Sequence, residues 1–169
     1  MMLFAILLLS TNSCEFLRLS PGVLSQGLGG SSLTCDEGLS AFHNPALIDG
    51  TKFSFTLSRW LYGLNRASFG VSYKDNSCAI SYLGYGRIQG YDRFGLPTHE
   101  FIPYDLTIAL ARRLGPFGFV LKNFQERIDS LLIVGFSGGV GTYVESRIVS
   151  VGAKIDNLGR IFVPNDSSL

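Results

Sequence analysis

From residue 52 onward the chain alternates apolar and polar positions with a period of two, the pattern of a strand with two unlike faces. Residues 52–60 (KFSFTLSRW) set Phe53, Phe55 and Leu57 against Lys52, Ser54, Thr56 and Ser58. Residues 66–74 set Ala67, Phe69, Val71 and Tyr73 against Ser68, Gly70, Ser72 and Lys74. The same alternation returns at 104–113, 117–128, 132–144 and 148–157, while 78–89 is longer and less regular, with Gly84 and Gly86 marking a bend. Asp75-Asn76 and Gly115-Pro116 read as tight turns, 90–103 (holding Pro97 and Pro103) as a longer loop, and Leu158-Gly159 as the end of the last strand. The pattern predicts about seven antiparallel strands, joined alternately by short and long connections.

Alternation of this kind suits a soluble β-sandwich as well as a transmembrane barrel, and two observations separate them. The predicted strands approach the ~9–11 residues that cross a bilayer, against the ~5–6 usual in globular sheets. Only 16% of residues are charged, below the roughly 25% of soluble domains, and no apolar run reaches the ~18–20 residues of a membrane helix. In a barrel the apolar faces meet lipid and the Ser-, Thr-, Gly- and Lys-rich faces line the lumen, with Trp60 and Tyr62 at the interface. The net charge of +1 comes without a basic cluster, which argues against a nucleic-acid partner.

Residues 1–13 hold a short apolar core, Leu3 to Leu9, followed by small and polar residues. This resembles a secretory signal without the usual positive start. Cleavage near residue 13 is expected; Thr11 stands where a lipidation signal ahead of Cys14 normally carries an aliphatic residue. Residues 14–50 are Gly-rich and aperiodic. Within them Asp36 to Phe42 reads as one or two helical turns with an acidic start, ended by Asn44-Pro45. Cys35 and Cys78 are available to pair in an oxidising compartment, though small buried thiols are the plainer reading.

Phe16-Leu17-Arg18 with Pro21-Gly22, Gly27-Leu28-Gly29-Gly30, Asp36 and Asn44-Pro45-Ala46 together resemble the start of the PorV/PorQ-type outer-membrane proteins. These are similar in fold to the FadL fatty-acid channels. Tyr104-Asp105-Leu106, Ala111-Arg112 and Asp156-Asn157-Leu158-Gly159 extend the match; Leu28 replaces a usual methionine and Leu47 a usual glycine. The resemblance implies an all-β, antiparallel FadL-like barrel of about fourteen strands with an N-terminal plug in its lumen. Residues 51–160 would then be the first half of that barrel, and 161–169 a truncated loop, as from a split gene or a partial record. It implies transport or protein secretion across the outer membrane of a Gram-negative-type bacterium, as a type IX secretion-like shuttle or a hydrophobic-solute channel. The implied partners are outer-membrane lipid, secretion-machinery proteins or hydrophobic solutes, and the remainder of its own barrel. The alternative is a surface-anchored β-sandwich acting as a binding or structural module.

Candidate chemistry is sparse. Gly135-Phe136-Ser137-Gly138-Gly139 spells a nucleophile elbow, but strand alternation continues through it and no histidine follows His99. Gly27–Gly30 and Gly138–Gly141 lack the Lys-Ser/Thr of a phosphate loop. Neither a catalytic residue nor a metal or other cofactor is expected. The plug and lumen candidates are Gly27, Gly29, Gly30, Asp36, Asn44, Pro45 and Ala46, with Lys52, Asp105, Lys122 and Lys154 on the polar faces. Lys74 and Asp156 complete a possible ladder of lumenal charges.

Overall fold

The chain is described by a computed structural model covering residues 15–28, 32–34, 38–60 and 63–163. Seven strands form one antiparallel sheet: β1 (Lys52–Arg59), β2 (Asn65–Tyr73), β3 (Asn76–Gly84), β6 (Tyr104–Leu114), β7 (Phe117–Ile128), β8 (Leu131–Glu145) and β9 (Ser150–Phe162). They lie in that order, each paired with its sequence neighbour in the sheet. The protein is therefore all-β in its main body. The sheet is open, with β1 and β9 as its edges. No helix among the described residues is long and apolar enough to cross a membrane, which says nothing of strands.

Three details depart from the alternation pattern. Residues 90–103 are no plain loop: β4 (Ile88–Tyr91) and β5 (Pro97–Phe101) pair as a separate hairpin. Its turn is built by Asp92, whose Oδ1 accepts from the backbone N–H groups of Phe94 (2.8 Å) and Leu96 (2.9 Å), the local bonding that favours Asp in turns. The β2–β3 turn falls at Lys74-Asp75, one residue early, and Lys74 takes a positive φ of 53° there. Finally, β9 runs past Leu158-Gly159 to Phe162, so the segment beginning at 161 starts inside the sheet.

That last extension rests on a β-bulge. Gly138 pairs with Leu158 and Val140 with Ile155, so two residues, Asp156 and Asn157, stand opposite Gly139 alone. Asn157 adopts φ 59°, a left-handed conformation that asparagine tolerates better than most residues. The bulge absorbs one residue, and the inward and outward faces resume beyond it.

The two faces of the sheet are buried in the reverse of the usual order. Phe53 is 69% exposed and Leu57 68%, and Leu110, Leu121 and Val151 are likewise exposed. The buried face carries Ser68, Ser72, Ser77, Ser81, Asp105, Thr107, Lys122 and Ser137. The described part of residues 15–48 covers it. Leu39, Ala41 and Ile48 pack on Ala79, Ala109, Ala111 and Val120, and Phe16 packs on Leu83 and Phe124. The Asp36-to-Phe42 stretch forms turns rather than a helix over its described part, 38–42, and the short helix α1 lies earlier, at Val23–Gly27. Cys78 is a free, exposed thiol on the apolar face, beside Val71 and Leu110. It is therefore neither buried nor turned toward the N-terminal segment, and Cys35 lies outside the described residues.

Candidate functional site: the chamber between the N-terminal segment and the sheet

The N-terminal segment reaches the sheet where the sheet has no side chains. A Cβ on Gly118 would overlap the backbone of Pro45 and Ala46, and one on Gly141 would strike the Asn44 side chain. Gly70 likewise makes room for Gly38 and Leu39, and Gly152 for Leu33. On the first two of these glycine seats sits the turn at Pro45–Leu47, opened by Asn44 in an extended conformation, as its position before proline favours. Asn44 uses its whole amide: Oδ1 accepts from Ala46 N (3.1 Å), while Nδ2 donates to Leu33 O (2.9 Å) and Thr142 O (3.1 Å). It thus ties together the turn, an earlier part of the segment and β8. Asn44, Pro45 and Ala46 are all buried.

Basic side chains from three strands then grip main-chain carbonyls of the segment. Arg66 on β2 donates to Leu19 O (2.7 Å) and Ser20 O (2.8 Å). Arg113 on β6 donates to Ile48 O (3.1 Å), and Lys154 on β9 to Phe42 O (2.8 Å). Such charge-assisted bonds are stronger than neutral ones. Because they address the backbone, they impose little on the sequence they hold.

Between these grips lies a chamber of about 220 Å³. One wall is the sheet, with Arg66, Ser81, Asp105, Thr107, Lys122 and Asp156; the other is the N-terminal segment, with Phe16, Leu19 and Phe42. At one end Asp105, buried to 2% exposure, accepts a 2.5 Å hydrogen bond from the Tyr85 hydroxyl on Oδ2, and its Oδ1 has no partner among the described residues. Burial and that bond to Asp105 push the Tyr85 hydroxyl well above its ordinary titration range. At the other end Lys122 and Lys154 share one oxygen, Asp156 Oδ2, at 2.5 and 2.6 Å, and Lys122 also reaches Asn157 Oδ1 at 3.0 Å. The bulge makes this possible, since it turns two consecutive side chains toward Lys122.

Of the expected site residues, Asn44, Pro45, Ala46, Asp105, Lys122 and Lys154 meet around this chamber or its glycine seats. Lys52 lies on the polar face of β1, paired with Ser72 at the sheet edge. Gly27 ends α1 in the open, with nothing for a Cβ to touch; Gly29, Gly30 and Asp36 lie outside the described residues. Lys74 leaves the proposed charge ladder, since its ammonium sits over the Tyr73 ring at an exposed turn. Arg66, Tyr85, Arg113 and Asn157 join the site without having been singled out. Arg66 and Arg113 were within reach of the alternation rule, two residues from Ser68 and Ala111 on the same face. Ser137, the serine of the elbow-like pentapeptide, is buried in mid-strand on β8, with the strand continuing on both sides of it. No protein-family model, curated protein or solved structure is significantly similar to this chain.

Proposed function

We propose that this chain forms part of the wall of an outer-membrane β-barrel of the PorV/PorQ type, with residues 15–48 as a lumenal plug, and that it acts in transport or protein secretion without chemical turnover. The observation that carries this reading is the reversed polarity of the sheet. A face bearing Phe53, Phe55, Leu57, Leu110 and Leu121 lies open, while the face bearing serines, threonines, lysines and an aspartate is covered. Water would drive the opposite arrangement, because burying apolar surface is the main favourable term in folding. Lipid outside and a polar lumen inside reconcile the two faces. A surface-anchored β-sandwich would bury its apolar face against a second sheet.

The edges fit the same reading. β1 and β9 run in the same direction, being first and seventh in an antiparallel array. Their outer backbone groups are unpaired within the sheet, a costly state in hydrocarbon. Closing strands from the remainder of the barrel, odd in number, would satisfy both edges while keeping every pairing antiparallel.

Two substitutions on adjacent residues of β6 test the faces. Ile108 is on the open apolar face and Thr107, 5% exposed, on the covered one. Ile108→Arg is expected to impair folding into lipid vesicles by about 2–4 kcal/mol if it lies near the midplane. Thr107→Arg should still enter vesicles, while loosening the N-terminal segment that it would push against. Equal loss of vesicle insertion for both, or release of the Cys14-replaced protein from membranes by salt alone, would overturn the reading.

A further inference from the structure

We infer that the chamber between the N-terminal segment and the sheet is a binding site for a small oxyanion, a carboxylate or phosphate group held between Lys122 and Lys154. Both side chains are buried, at 3% and 8% exposure, and both lean on the same carboxylate oxygen of Asp156. Two ammonium groups against one carboxylate leave an excess positive charge in a place shielded from water, and buried charges call for a partner. Each ammonium carries three hydrogens and directs one to Asp156; Lys122 directs a second to Asn157, and Lys154 a second to Phe42 O. One donor on each remains for a ligand. Thr107 lines the same chamber and adds a hydroxyl donor.

The chamber also sets the size of the guest. Its roughly 220 Å³ falls below the ~300–1,000 Å³ of sites for drug-sized ligands, so a short solute fits better than a long acyl chain. At the far end Asp105, whose Oδ1 has no partner among the described residues, closes the chamber with a second carboxylate. The site depends on the packing of the N-terminal segment over the polar face, not on membrane placement, so it stands or falls apart from the preceding reading.

Calorimetric titration of the purified full chain in detergent with sodium phosphate and with sodium acetate, against sodium chloride at matched ionic strength, tests it. Saturable one-to-one binding of at least one of the two anions is expected, and which one binds identifies the acid group. Lys122→Met and Lys154→Met should each weaken binding at least tenfold. Asp156→Asn keeps an oxygen for both ammonium groups but removes the competing negative charge, so it should tighten binding severalfold. A merely structural carboxylate has no route to that gain, and this variant decides the matter if the lysine variants fail to fold. No saturable binding of either anion, binding indifferent to both lysines, weaker binding in Asp156→Asn, or saturable binding of laurate in preference to both small anions would each overturn the inference.

Discussion

The two halves of the N-terminal segment are held to the same sheet by different means. Residues 38–48 are fixed chiefly by shape: the backbone of Gly38 lies on Gly70, that of Pro45-Ala46 on Gly118 and the Asn44 side chain on Gly141, and Leu39, Ala41 and Ile48 fill the space above four small or branched residues, with Arg113 and Lys154 adding bonds to Ile48 O and Phe42 O. Residues 15–28 are fixed by fewer contacts, chiefly the Arg66 guanidinium on two carbonyls and the Phe16 ring edge-on to Phe124, 6.0 Å between centroids. Steric fit fails abruptly when a single atom is added, because a close-packed interface has nowhere to put it. Charge-assisted grips fail by degrees. The chamber is lined from both halves, by Phe16 and Leu19 of the first and by Phe42 of the second.

On that contrast, Gly118→Val gives the largest effect. Its side chain would occupy the backbone position of Pro45-Ala46, and a loss of about 3 kcal/mol is expected from overpacking. Limited proteolysis should then cut within 38–48 while the sheet stays intact. Asn44→Ala comes next: it removes the bond to Ala46 N and leaves the carbonyls of Leu33 and Thr142 without their donor, for roughly 2 kcal/mol in thermal or denaturant unfolding. Arg66→Met should cost less, about 1–2 kcal/mol, and show itself locally, as proteolysis within 15–28 and not within 38–48. Ser54→Ala should be smallest, at about 1 kcal/mol or less, since it removes a single 3.0 Å bond from Gly38 N. Protease cuts appearing in both halves for Arg66→Met, or in neither for Gly118→Val, would dissolve the distinction.

Much of the sheet was legible because a strand's side chains alternate strictly, so Phe53 and Ser54, or Ile108 and Thr107, declare opposite faces from sequence alone. The β4–β5 hairpin was not, because Gly90 and Pro97 interrupt the period and the turn is made by one aspartate bonding its own backbone. The bulge was hidden for a related reason: alternation slips by one residue at Asn157, and a slip looks like an end. Asp105, Lys122 and Lys154 could be picked out as charges on polar faces. Their grouping could not, since Lys122 and Asp156 are 34 residues apart in the chain. Gly118 and Gly141 were visible as glycines, but nothing in their neighbourhoods says that Asn44-Pro45-Ala46, far earlier in the chain, lies on them.

The bulge at Asp156-Asn157 has a bearing on how this chain tolerates insertions and deletions. In a two-faced strand, losing one residue ordinarily swaps every later side chain between the covered and the open face, so that a single codon deletion inverts the remainder of the strand. Asn157 is the residue that the pairing already passes over. Its removal would let Asp156 meet Gly139 one-to-one and leave Leu158, Arg160 and Phe162 on the face that they now occupy. Deletion at Ile155 or Leu158 would draw on the same spare residue, but would put Asp156 or Asn157 on the open face. The one place in β9 where its two faces can lose a residue without being scrambled is also the place that supplies a second oxygen to Lys122, so such a loss would alter the chamber's chemistry and spare the sheet.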